Sequence, residues 1–184
     1  LLIPQFIVIK AVFVSLILVV LVAFAAPTMS DSEIQSRLKY LEAAKSGESL
    51  FRGGQRDASR IAYIEASQHM PSAWKPYFRI GQAWQGQNNL PEANKYFRMA
   101  LKLNPGFSPA LSMLGNNLKR MGNADEAEKM LRAAIRSWPM NKYAYDSLAH
   151  VLATLDRRPE AIKMLKYAIS IDPNYGVGHA NLAM

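Results

Sequence analysis

The chain has 184 residues, half of them hydrophobic, and a formal net charge of +8. This length suits one domain of ordinary size with a short additional segment. The sequence contains no cysteine, which excludes disulfide bonds, thiolate metal sites and a lipid attached to a cysteine side chain.

Residues 1–29 have the composition of a segment that enters a membrane, because Lys10 is their only charged residue. The apolar run over residues 7–26 has about the length that an α-helix needs to cross the hydrocarbon core, and Lys10 can extend from its first turn to the headgroups. A cleaved export signal is the alternative, since "AFA" (residues 23–25) has the small-x-small form of a cleavage site. We take a retained transmembrane helix as the prediction.

The charges around this segment predict its orientation. Lys10 lies on the N-terminal side and acidic residues come first on the other, so the positive-inside rule places the remainder of the chain outside the cytoplasm, in a bacterial periplasm. The cytoplasmic side is the alternative, because one lysine decides the matter. Residues 30–39 are predicted to be a linker that leads into the first helix.

From residue 40 onward, five columns of similar residues recur every 34 positions. One column is small, another is bulky, and others consist of alanine or proline. A period of this size predicts a solenoid built from one repeated supersecondary unit. The small column is Gly47, Gly81, Gly115, Ala149 and Ala183, and the bulky column is Tyr63, Phe97, Leu131 and Leu165. A third column is Ser59, Ala93, Ala127 and Ala161, and a fourth is Ala66, Ala100, Ala134 and Ala168. The proline column is Pro71, Pro105, Pro139 and Pro173.

Each period is predicted to contain two helices. In the second period an apolar face with helical spacing ends at "GQNN" (residues 86–89), and Pro91 suits the first turn of a new helix. Gly81 and Ala93 are expected to let the two backbones approach closely, while Phe97 fills the space beside them. The proline that closes the period ends the second helix, because it has no N–H to donate.

The segments "YFRIGQAW" and "EANKYFRMALKLNP" resemble the tetratricopeptide repeat family. The resemblance implies an all-α solenoid of antiparallel helix pairs, with full repeats at 40–73, 74–107, 108–141 and 142–175 and a partial one at 176–184. The first repeat is degenerate, since Ala43 and Ser46 replace large apolar residues. The uncharged sequence of the partial repeat favours a chain that was cut there, with a natural end as the alternative.

In this family the first helix of each pair lines a concave groove. The resemblance therefore implies a polar, weakly cationic groove suited to an extended peptide or a partner helix. Lys75 and Arg79 match one side of the carboxylate clamp of some family members, but Lys45 stands where an Asn is expected, so we do not predict that activity. The predicted groove residues are Lys75, Phe78, Arg79, Gln82, Gln85, Ser112, Asn116, Lys119, Arg120, Tyr143, Asp146, Ser147 and His150.

The second helices carry a basic ridge that also repeats every 34 residues. The plainest interpretation is that cations near helix C-termini favour the helix dipole and keep the surface soluble. An acidic protein or anionic lipid is the alternative partner, and nucleic acid is disfavoured because the ridge has no interleaved aromatic residues. The ridge residues are Lys95, Arg98, Lys102, Lys129, Arg132, Arg136, Lys163 and Lys166.

No motif for catalysis, a cofactor or a metal is found. His69, His150 and His179 lack metal-ligand spacing, and no glycine loop or Gly-flanked serine is present. The sequence therefore predicts a non-enzymatic, membrane-anchored scaffold that binds proteins, as an accessory subunit or assembly factor of a membrane complex. The alternative is a cleaved, exported adaptor that captures client peptides as a chaperone does.

Overall fold

The computed structural model describes residues 29–182, which form nine α-helices and no β-strand. The predicted all-helical solenoid is therefore confirmed, whereas the predicted transmembrane segment at residues 7–26 lies outside the described residues. The helices are α1 (Asp31–Arg52), α2 (Arg56–His69), α3 (Trp74–Gly86), α4 (Leu90–Leu103), α5 (Ser108–Arg120), α6 (Ala124–Ser137), α7 (Lys142–Thr154), α8 (Arg158–Ile171) and α9 (Gly176–Leu182).

Helix α1 begins at Asp31, so most of the segment predicted as a linker and helix start is helical. Ser30 and Glu33 form a reciprocal cap: the Ser30 N–H donates to the Glu33 carboxylate over 2.8 Å, and the Glu33 N–H donates to Ser30 Oγ over 3.3 Å. This S-x-x-E capping box is legible in the sequence, and it satisfies donors that a helix start leaves without partners.

The small and bulky columns meet inside each helix pair, as predicted for the second repeat. A Cβ atom placed on Gly81 of α3 would lie 2.7 Å from ring carbons of Phe97 and 3.2 Å from the carbonyl oxygen of Ala93. Gly115 of α5 has the same relationship to Leu131, at 2.7 Å. Two helices can pack this closely only where the side chain is absent.

The turn inside each pair is made by a residue with positive φ, and these residues are also 34 positions apart. Gly54 and Gly122 have φ values of 77° and 81°, and Asn88 and Asp156 have 62° and 61°. Glycine enters this left-handed region without a steric penalty, and Asn and Asp are the other residues that adopt it most readily. The period is thus imposed on the backbone as well as on the core.

Successive pairs share one apolar core, in which Phe97, Leu114, Leu131 and Leu148 are almost fully buried. In α1 only Ala43 and Gly47 are buried, and Gly47 packs against Tyr63 of α2, the second helix of the same repeat. None of the helices within residues 29–182 is both long enough and apolar enough to cross a membrane.

Candidate functional site: a groove along the first helices

Side-chain hydrogen bonds place the first helices of successive pairs next to one another. Gln85 of α3 donates to Asn117 of α5 over 2.7 Å. Farther along, Asn141, the N-cap of α7, donates to Ser112 of α5 over 3.0 Å. Asn181 of α9 then donates to Asp146 of α7 over 2.8 Å. The first helices thus form one continuous surface, as the predicted groove requires.

A cavity of about 450 Å³ lies on this surface between α1, α3 and the start of α5. Its floor is aromatic. The rings of Trp74 and Phe107 are 4.2 Å apart, and Phe78 meets Phe107 edge-on at 4.8 Å. We name this cavity the aromatic pocket; it is lined by Tyr40, Ala44, Glu48, Arg52, Tyr63, Trp74, Lys75, Pro76, Phe78, Arg79 and Phe107.

The charges around the aromatic pocket do not cancel. Glu48 accepts a hydrogen bond from the Tyr63 hydroxyl over 2.9 Å and pairs with Arg79 at 2.8 Å and with Arg52 at 3.1 Å. Burial alone would raise the pKa of Glu48, but the bond from Tyr63 and the attraction of the two arginines outweigh it and lower the pKa. One acid therefore faces three cations, and the exposed Lys75 leaves the rim positive.

Three residues predicted to be free in the groove belong to the core instead. Phe78 is only 8% exposed, and the ring of Phe107, from the loop between α4 and α5, packs against it. Ser112 accepts the bond from Asn141, and it and Ser147 are 8% and 6% exposed. Phe78 thus forms part of the pocket's floor and is not free to reach out to a partner.

Arg79 and Gln82 are half-buried and already have partners within the molecule. Arg79 donates to Gln82 over 2.9 Å, and its guanidinium lies 5.1 Å from the ring centre of Phe51. Gln82 in turn approaches the sulfur of Met113 at 3.7 Å. These two residues shape the groove, whereas Lys75 is the more accessible cation beside the aromatic pocket.

The remaining groove residues gather farther along, on α5, α7 and α9. Lys119 is half-buried, and burial lowers its pKa although Asp146 attracts its charge. The Asn181 side chain that bonds Asp146 also lies 3.0 Å from His150 Nε2. Tyr143 is 61% exposed and meets the ring of Tyr175 edge-on at 6.0 Å.

Asn116 and Arg120 complete the predicted set on α5. Asn116 is half-buried on the groove side, whereas Arg120 is exposed and donates to Asn88 in the turn of the preceding pair. Of the predicted residues, Lys75, Phe78 and Arg79 line the aromatic pocket, and the others lie farther along the first helices.

Several lining residues were absent from the sequence prediction. Trp74 begins α3 and Phe107 precedes α5, whereas the predicted set begins only at Lys75 in α3 and at Ser112 in α5. Glu48 lies on the degenerate first repeat, where the pattern is weakest. The signal that could have found the pocket is the aromatic or proline content at the helix starts, in "AWKPYF" and "GFSP".

The basic ridge is partly neutralised. Arg98 of α4 pairs with Glu126 of α6 at 2.7 Å, and Arg132 of α6 pairs with Glu160 of α8 at 3.4 Å. These two ion pairs form a ladder between successive second helices. Glu126 and Glu160 are 34 residues apart, as are Arg98 and Arg132, so the ladder could have been predicted from the sequence.

Other ridge residues differ in their partners. Arg132 also pairs with Glu128 at 2.7 Å, and Lys95 lies 3.7 Å from Glu92. The ridge is therefore not a uniform strip of eight free cations. The ridge residues that are exposed and form no ion pair within residues 29–182 are Lys102, Lys129, Arg136, Lys163 and Lys166.

In the part of the chain that the structure describes, no group of three or more His, Asp or Glu residues is arranged to hold a metal ion. The chemistry that the groove offers consists of aromatic surface, amide groups and cations. These are the means of binding a polypeptide segment by burial and charge.

Comparison with solved structures identifies similar folds. MamA from Desulfovibrio magneticus RS-1 has a TM-score of 0.71 and 21% identity, over 84% of each chain. YrrB, described as a TPR protein with an unusual peptide-binding site, has a TM-score of 0.68 and 20% identity over 75% of this chain and 71% of its own. The first TPR of Spaghetti (RPAP3), bound to the HSP90 peptide SRMEEVD, has a TM-score of 0.63 and 20% identity over 65% of this chain and 94% of its own.

At these identities the similarity establishes the fold alone, and no curated protein sequence matches the chain. Models of the tetratricopeptide repeat match residues 74–107 and 112–176, which together are more than half of the sequence. With its helix pairs, its 34-residue period and these matches, the chain is a tetratricopeptide repeat protein.

Proposed function

We propose that the chain is a non-enzymatic scaffold that holds a partner protein through an extended segment bound in the groove of the first helices. The observation that carries the proposal is the aromatic pocket, where Trp74 and Phe107 line a cavity beside the exposed cation Lys75. An interior packed to ordinary density leaves few voids larger than a water molecule. An open aromatic cavity is thus suited to receive a side chain from outside.

The pocket also defines the chemistry of the segment. A large apolar side chain would bury its surface against Trp74 and Phe107, at roughly 25 cal/mol for each Å² removed from water. An acidic side chain next to it would meet Lys75, since Glu48 is already compensated by Arg79 and Arg52. The peptide SRMEEVD, bound to the similar repeat domain of Spaghetti, contains both kinds of residue.

We further propose that the scaffold acts at a membrane, as an accessory subunit or assembly factor of a membrane complex. The apolar sequence of residues 7–26 supports this part of the proposal. The exported, soluble adaptor remains the alternative. Co-purification from detergent-solubilised native membranes decides between them: an integral-membrane partner recovered with residues 7–26 intact supports the scaffold, whereas a new N-terminus near Ala26 with varying soluble clients supports the adaptor.

The groove is tested in the same co-purification with two variants of the full chain. Lys75→Glu reverses the accessible charge of the aromatic pocket, and Trp74→Ala removes part of its floor. We expect each variant to reduce the recovered partner at least about tenfold, as the loss of one well-placed interfacial contact does.

The matched control is Lys166→Glu, which makes the same change of charge on an exposed residue of the basic ridge. Thermal unfolding of each variant shows whether the fold is retained. Full partner recovery with a folded Lys75→Glu variant contradicts the proposal, and so does an equal loss of partner with Lys166→Glu.

A further inference from the structure

Two loops that join consecutive repeats lie side by side at one edge of the solenoid. The hydroxyl of Ser108 donates to the carbonyl oxygen of Ala134 over 2.9 Å, and Asn141 donates to Ser108 over 3.1 Å. The loop after α4 is thereby held against the C-terminal end of α6 and the loop that follows it. We name the surface formed there the loop edge; its members are Lys102, Leu103, Arg136, Trp138 and Met140.

The apolar members of the loop edge are exposed to solvent. Trp138 is 50% exposed, Met140 60% and Leu103 41%. A single exposed apolar side chain is ordinary on a protein surface. Leu103 at the end of α4 and Trp138 and Met140 in the loop after α6, together with two cations, form a mixed surface that neither the core nor the groove explains.

The cations of the loop edge are uncompensated. Lys102 and Arg136 are exposed and form no ion pair in the described part of the chain, whereas Glu126 and Glu160 on the outer faces of α6 and α8 are paired with arginines. The dipoles of α4 and α6 favour cations at these helix ends. That effect does not account for the neighbouring Trp138.

We propose that the loop edge binds the surface of a membrane that contains anionic lipid. An indole ring has an apolar body and a polar N–H, which suits the boundary between headgroups and acyl chains, and Met140 can enter the same layer. Lys102 and Arg136 then meet lipid phosphates, where each basic residue near an anionic surface contributes to binding. This surface is separate from the groove, and the inference does not depend on the proposed partner.

A lipid surface fits the loop edge better than an acidic protein does. The apolar side chains project singly from the end of α4 and from the loop after α6, and none of them lines the cavities found at the groove, at the C-terminal helices or between α6 and α8. Acyl chains adapt to projecting side chains of any shape. A protein partner would have to supply pockets complementary to each of them.

The absence of cysteine allows a local test on the full chain. A single cysteine replaces Met140 and carries a fluorophore whose emission shifts to the blue in an apolar environment. The matched control is Asn123→Cys, an exposed position in the turn between α5 and α6. Both labelled proteins are incorporated into vesicles of phosphatidylcholine, with and without phosphatidylglycerol.

We expect a blue shift at position 140 in the vesicles with phosphatidylglycerol and none at position 123. The shift should disappear with Lys102→Glu and Arg136→Glu together, and also at about 1 M salt, where the Debye length falls to about 3 Å. The pair Lys129→Glu and Arg158→Glu makes the same change of charge elsewhere and should leave the shift intact.

The inference is overturned by an unshifted probe at position 140 while the protein sediments with the vesicles. It is also overturned by a shift of equal size in vesicles without phosphatidylglycerol, or by a shift that only an added acidic protein produces. Failure here leaves partner recovery by the groove unaffected, so the two proposals are judged separately.

Discussion

The buried side chain of Asn117 donates a hydrogen bond to the buried side chain of Asn94 over 2.9 Å, which links the first helix of one repeat to the second helix of the repeat before it. Asn117 also accepts from Gln85 over 2.7 Å, and Asn94 approaches the sulfur of Met121 at 3.3 Å. A polar chain thus passes through the core at this boundary with its amide groups satisfied. Because a shifted repeat would leave these groups without partners, the network specifies the register between the two repeats.

The first prediction concerns this network. Asn117→Ala leaves the buried Asn94 without its amide partner, and we expect the free energy of unfolding to fall by about 2 kcal/mol. Asn94→Ala should have a similar effect. Both substitutions remove the same hydrogen bond. The double variant should therefore lose about 1 kcal/mol less stability than the two single losses added together. Urea unfolding followed by circular dichroism measures all three, and strictly additive losses would show that the two amides act independently.

The second prediction concerns the contact between Gly81 and Phe97. Gly81→Ala places a methyl group 2.7 Å from the ring, so the helices must separate, and we expect a loss of about 1–3 kcal/mol. Gly106→Ala is the control, because its new Cβ would lie 3.8 Å from the nearest side-chain atom. Thermal unfolding compares the two, and equal melting temperatures would mean that the close approach is not needed.

These core contacts were predictable because the helical period and the alternation of small and bulky residues are both visible in one sequence. Gly81 and Phe97 are 16 positions apart in the same repeat, and their complementarity recurs in the next one. The position of Phe78 was not predictable in the same way. It shares a helix with other residues predicted for the groove, and the rings of Phe97 and of Phe107, which precedes α5, pack against it.

The aromatic pocket shows the same limit. The cations were recognised from their spacing, but the compensation of Arg79 by Glu48 joins two repeats through a degenerate helix, and no period relates the two residues. The ladder from Arg98 to Glu126 was in principle visible, since both of its columns repeat every 34 residues. Contacts within the repeating pattern can thus be found in the sequence, whereas contacts that break it require the structure.

The third prediction concerns the turns with positive φ. Gly122 has a φ of 81°, and a Cβ there would have no neighbour within 4 Å, so Gly122→Ala tests the backbone conformation without a clash. We expect a loss of about 1–2 kcal/mol, the cost of this region for an L-residue. Asp156→Gly, at a φ of 61°, should be neutral or stabilise by up to about 1 kcal/mol.

Gly176→Ala is the control for these turns, since its Cβ also meets no neighbour within 4 Å and its φ is not in the left-handed region. Urea unfolding gives the free energy of unfolding of the Gly122→Ala, Asp156→Gly and Gly176→Ala variants, each measured separately. A loss at Gly176 as large as the loss at Gly122 would assign the effect to the methyl group, not to the backbone.

The fourth prediction is a dependence of stability on pH that originates at Glu48. Its pKa in the folded chain is below the usual value of 4.5, because the Tyr63 hydroxyl and two arginines stabilise the carboxylate by more than burial opposes it. A lowered pKa means that the unfolded chain binds the proton more readily. The contribution of Glu48 to stability is therefore fully present above about pH 4.5 and is lost as the pH falls through the lower value of the folded chain.

Glu48→Gln should consequently be less stable than the parent chain near pH 7, and the difference should shrink as the pH falls through the lowered pKa of Glu48, below which both side chains are neutral. Tyr63→Phe removes one of the bonds that hold the carboxylate, so its stability should fall less steeply with acid than that of the parent chain. Melting temperatures of the three proteins across this range test the assignment. A constant difference between Glu48→Gln and the parent chain at every pH would mean that Glu48 contributes by packing, and that the positive rim of the aromatic pocket is not set by its ionisation.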